Sequence, residues 1–120
     1  MIRQLTTKSP NVLAFEMSEK LHDEDYRVFV PVVEKALEDN GEKINFLAVF
    51  KDFHGWDAHA CWDDLKFGVK HCFDIKKIAM VGDKKWEHWM ALLCKPLTPA
   101  RVLYFDISEI DDAWKWVNDK

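Results

Sequence analysis

Ile44-Asn45-Phe46-Leu47-Ala48-Val49-Phe50 is the stretch that decides the fold. Every position but Asn45 is apolar. A strand with one wet face alternates apolar and polar residues, whereas a strand covered on both faces reads as a continuous apolar run. The run is far shorter than the ~20 residues a helix needs to cross a bilayer. It therefore predicts a buried strand in a parallel sheet. Residues 78–81 and 102–105 repeat the character, and a helical pattern follows each of the three strands.

Upstream, residues 2–7 and 12–18 read as two strands around a Ser9-Pro10-Asn11 turn, an opening hairpin with the first strand antiparallel to the second. Leu21-His22-Asp23-Glu24-Asp25 places acids where a helix N-terminus favours negative charge. Tyr26, Val30, Val33 and Leu37 continue at helical spacing, and Asn40-Gly41 stops the helix. Pro31 falls inside it and is expected to kink it, because its ring removes a backbone donor. Downstream, Ala58, Cys61, Trp62, Leu65, Val69, Cys72 and Phe73 form one helical stripe. Trp86, Trp89, Met90 and Leu93 form another, which ends near Pro96 and Pro99. The last helix carries Ile110, Ala113, Trp114 and Val117 and opens on Ser108-Glu109-Ile110-Asp111, an S-x-x-D capping box. Asp83 is a candidate cap for the helix of Trp86. The order ββαβαβαβα predicts a single α/β domain over residues 1–120. It has a mixed five-stranded sheet, right-handed crossovers and four helices.

Composition narrows the function classes. The chain has 120 residues, 17 Lys+Arg against 21 Asp+Glu, a net charge of −4 and 48% hydrophobic residues. That length suits one domain burying about two-thirds of its unfolded surface. Mild acidity without a long basic run argues against nucleic acid as a partner. The first residues contain no apolar signal-peptide core. Cys61, Cys72 and Cys94 make an odd set without C-x-x-C spacing. These features place the protein in the cytoplasm, with the thiols read as buried small hydrophobes rather than redox or metal groups.

The motifs add a family. Trp62-Asp63-Asp64-Leu65-Lys66-Phe67-Gly68, Val81-Gly82-Asp83-Lys84-Lys85-Trp86-Glu87-His88-Trp89, Tyr104-Phe105-Asp106 and Ala113-Trp114-Lys115-Trp116 resemble the SpoIIAA-like family of STAS-type domains. Asp25-Tyr26, Pro31 and Phe53-His54-Gly55-Trp56 extend the likeness over nearly the whole chain. The resemblance implies a small α/β fold that is usually non-enzymatic, with relatives associated with apolar ligands or membrane surfaces. It carries over no catalytic residues. Anti-sigma factor antagonists of this fold carry a phosphorylatable serine in a D-S-x-G-like stretch. The corresponding Asp52-Phe53-His54-Gly55-Trp56 keeps Asp and Gly but has no hydroxyl to accept a phosphoryl group.

Ligands of open α/β sheets bind beyond the carboxyl ends of the strands. The expected loops there are residues 51–56, 82–85 and 106–108. Phe53, His54 and Trp56 crowd the first loop with large amphipathic groups, the composition of a pocket wall or apolar patch. Folding of Phe53 and Trp56 back onto the helix they precede is the competing reading. Trp62, Trp86 and Trp89 sit on helix stripes, as core or as the lining of a cleft between two aromatic helices. Phe67 lies opposite its own stripe, as an exposed contact. Asp52, Asp83 and Asp106 end three strands and are weighed as a Mg²⁺ site. Capping roles explain two of them, and no glycine-rich phosphate loop accompanies them. His54, His59 and His71 lack zinc-ligand spacing. Lys66, Lys70, Lys76, Lys77, Lys84 and Lys85 are grouped as a basic patch suited to an anionic membrane.

The sequence thus predicts a non-enzymatic binding module for a small apolar or lipid-like ligand, or for reversible attachment to a membrane surface. Its ligand-binding residues are Phe53, His54, Trp56, Trp62, Phe67, Trp86 and Trp89. No cofactor, metal or catalytic residue is expected, and a homodimer is compatible with the exposed Phe67. The alternative is a protein–protein regulatory module akin to an anti-sigma factor antagonist, without the usual serine.

Overall fold

The computed structural model describes residues 1–7, 9, 11–40, 43–56, 66, 75–83 and 101–119. Strands β1 (Ile2–Leu5), β2 (Val12–Leu21), β3 (Ile44–Trp56), β4 (Ile75–Gly82) and β5 (Arg101–Asp106) form one sheet in the order β1-β2-β3-β4-β5. β1 runs antiparallel to β2, and the other three pairings are parallel. The mixed five-stranded sheet expected from the sequence is present. Among the described residues there are two α-helices rather than the expected four: α1 (Asp23–Asn40) and α2 (Ile110–Asn118). Apart from Lys66, which is helical, the residues of the other two expected helices, and all three cysteines, lie outside the described residues.

Alternation along the strands divides the core. On one face Leu13, Phe15, Met17, Phe46, Ala48, Phe50 and Met80 pack with Tyr26, Phe29 and Val33 of α1. Phe15 meets Phe29 edge-on at 4.7 Å between ring centroids and stacks on Phe46 at 5.4 Å. On the other face Val12, Ala14, Leu47, Val49, Ala79 and Val81 pack with Ala113 and Val117 of α2. Both clusters remove apolar area from water at about 25 cal/mol per Å².

α1 begins as its acids dictate. Asp25 accepts a hydrogen bond from the His22 backbone N–H at 2.8 Å, and Asp23 pairs with Arg27 one turn on, also at 2.8 Å. The helix is continuous through Pro31. Pro31 and Arg27, whose carbonyl loses its partner, both lie on the exposed side, where water can take the missing donor's place.

α2 begins differently from the expected Ser108–Asp111 box. Asp106 is the cap of a 3₁₀ turn over Ile107–Glu109. Ser108 donates to Asp106 Oδ2 from its backbone N–H at 3.1 Å and from its hydroxyl at 2.8 Å. Glu109 Oε1 accepts in return from the Asp106 N–H at 3.2 Å. A 3₁₀ turn at the helix start moves the box two residues upstream of Ser108.

Candidate functional site

The carboxyl end of the sheet is uneven. β3 pairs with β4 only as far as Val49–Val81, yet it pairs with β2 through Leu21–Trp56. Residues 50–56 therefore extend past the last β4 pairing while held by β2 on the other side. The expected loop at 51–56 is instead the end of a strand. Two register shifts absorb its irregular sequence. Glu19 and Asp52 sit at φ 58° and 51°, the left-handed region that a non-glycine residue seldom adopts. Such bulges let a strand bend and still keep its ladder.

Phe53 is fully buried, with its ring 4.8 Å from that of Phe50. It is part of the packed core, which sets it apart from the pocket wall or surface patch expected of it. Folding back relieves it of water, as expected for a side chain of that size. His54 and Trp56 lie in β3 beyond it, on the part of the strand that pairs only with β2. Trp62, Phe67, Trp86 and Trp89 lie outside the described residues, so the expected cleft between aromatic helices does too.

The acids do not gather into a metal centre. Among the described residues no three His, Cys, Asp or Glu side chains are arranged to hold an ion. Asp106 is committed to its turn. The Ser108 hydroxyl and then the Ser108 N–H hold its carboxyl below the usual aspartate value. Asp52 is exposed within β3, and Asp83 is exposed just past the end of β4.

The basic patch is corrected at one position. Lys76 and Lys66 are exposed, but Lys77 is only 3% exposed. Its ammonium donates to the backbone carbonyls of Trp116 at 3.0 Å and Asp119 at 2.8 Å. It also lies 5.2 Å from the Trp116 ring centre. A charge this deep needs such partners. Asn45, its register neighbour on β3, is 4% exposed and donates from Nδ2 to the Val117 carbonyl at 2.7 Å. Sequence reasoning missed both groups. The signal for Asn45 was present, since a lone amide in a run buried on both faces must find a partner.

A mixed five-stranded sheet of this topology, with a helix packed on each face, defines a class of small α/β domains. The SpoIIAA-like family model matches residues 12–118, and the chain belongs to that family. A crystal structure of an uncharacterised DUF3478-family protein with a SpoIIAA-like fold, from Shewanella loihica PV-4, superposes with a TM-score of 0.80. It is 30% identical and covers 98% of this chain and 92% of its own. No curated protein matches the chain. Among the described residues no helix is long and apolar enough to cross a membrane.

Proposed function

We propose that the protein is a non-enzymatic binding module that takes up a small apolar or lipid-like ligand, or attaches reversibly to a membrane surface, at the carboxyl end of its sheet. The observation that carries this reading is the extension of β3 beyond β4, which carries His54 and Trp56 to the end of the sheet where open α/β folds bind ligands. Phe53 and Phe50 form the packed floor beneath this end. In the proposal Trp56, Trp62, Phe67, Trp86 and Trp89 supply the apolar contacts and His54 a polar one, the mixture typical of small-molecule sites. The absence of a metal-holding cluster among the described residues and the capping duty of Asp106 weigh against an enzyme built on the strand-end acids.

The test has two arms. The purified protein is titrated with oleic acid while tryptophan fluorescence is followed, and it is co-sedimented with phosphatidylcholine vesicles containing phosphatidylglycerol. A saturable fluorescence change that Trp56→Ala weakens supports ligand uptake. Sedimentation with vesicles, lost at high salt, supports surface attachment. A flat titration together with protein left wholly in the supernatant overturns the proposal.

A further inference from the structure

α2 is nine residues long. A helix that short is marginal in water on its own, so its position must come from what it touches. Its start has no side-chain cap of its own at Glu109. Its end is different. A helix leaves its last four carbonyls without intrahelical donors. Here the Asp119 N–H serves Lys115, Lys77 serves Trp116, and Asn45 serves Val117. Lys77 also takes the Asp119 carbonyl just past the helix. The two side chains come from adjacent strands, at paired register positions on the face that α2 covers. Both are nearly as deeply buried as the apolar core.

That arrangement is costly in two respects. Among the described residues Asn45 Oδ1 is buried without a hydrogen-bond partner, and desolvating an ammonium is expensive. Apolar side chains of similar size would fill the same space without either penalty. What they would lose is direction. The apolar contacts of Ala113 and Val117 tolerate sliding along the sheet, whereas hydrogen bonds to named carbonyls do not.

We propose that Asn45 and Lys77 form a polar latch that fixes where α2 ends on the sheet, and that without it α2 opens locally while the rest of the core stays folded. The latch is a positioning device: neither residue is required for the strands to pair.

Hydrogen exchange by mass spectrometry reads this directly in Lys77→Met and Asn45→Asp. Lys77→Met keeps an unbranched apolar stem. Asn45→Asp keeps the volume and places a carboxyl group at the register position paired with Lys77, and once ionised it cannot donate to Val117. In both, peptides covering residues 107–119 are expected to exchange at least about tenfold faster, the loss of at least one buried hydrogen bond to a helix-end carbonyl. Peptides from β2 and residues 44–50 should keep their wild-type rates. The Asp variant separates the latch from simple charge balance, because it improves the latter and still breaks the former. Unchanged exchange over 107–119, acceleration spread evenly over the whole chain, or failure of both variants to fold overturns the proposal.

Discussion

The two faces of the sheet solve the same problem with different materials. One face holds large rings, Phe15, Phe46 and Phe50, under an 18-residue helix whose Tyr26 and Phe29 join them. The other holds smaller buried side chains, Val12, Ala14, Leu47, Val49 and Ala79, under a nine-residue helix, with the partly buried Phe105, Trp114 and Trp116 packed against them. Rings interlock edge to face and fix a helix by shape. Alanines and valines allow close approach but specify position poorly. On the second face polar bonds to the end of the helix supply what shape does not.

The comparison breaks most sharply at its aromatic side. Phe15→Ala removes a ring that touches both Phe29 and Phe46. The expected loss is about 3–5 kcal/mol of unfolding free energy, read from the urea midpoint, because a cavity remains where the rings met. A loss below about 1 kcal/mol would mean that α1 collapses onto the gap and that shape does not hold this face.

The second face should fail in the opposite sense. Ala79 is fully buried in the cluster that holds Ala113. Ala79→Leu adds volume where two layers approach closely, at an expected cost of about 1–3 kcal/mol. The same denaturation experiment checks it. An increase in stability would show unused space beneath α2.

This contrast also explains what could be read from the sequence. Residues 44–50 announced a strand buried on both faces because nothing but a parallel sheet with two covered sides suits such a run. The hairpin and the first helix were equally legible from turn residues, acids and spacing. The end of β3 was not. Lys51, Asp52 and Gly55 break the alternation that marks a strand, and the pairing with β2 survives only through bulges. Glu19 as a residue type does not announce a positive φ, and Asp52, a type that visits the left-handed region more often than most, was read as a strand-end acid instead. Lys77 read as a surface cation because lysines seldom lie inside, and its acceptors are backbone carbonyls about 40 residues later in the chain. Of the proposed site, Phe53 was misjudged because size argued for a pocket wall and for the core alike, and only packing decides between them. The expectation that ligands would bind at the strand ends came from topology, which alternating strands and helices do reveal.

The smallest effect sharpens the comparison at the start of α2. Asp106 is exposed, so its bonds with Ser108 act against water and its contribution is modest. Those bonds lower its pKa in the folded state. A group whose native pKa is depressed binds fewer protons folded than unfolded, so its stabilisation is complete above the unfolded value, about 4, and is lost as pH falls through the native one. Ser108→Ala removes the hydroxyl, the larger of the two causes, and keeps the backbone N–H. The variant should be less stable than wild type at neutral pH, and the gap should close at the acid end of the titration. The Asp106 carboxyl resonance should titrate at a higher pH in the variant. A gap that is equal at pH about 7 and about 2 would mean that the hydroxyl stabilises the turn by some route other than the charge on Asp106. The start of α2 would then depend on shape after all, as the first face does.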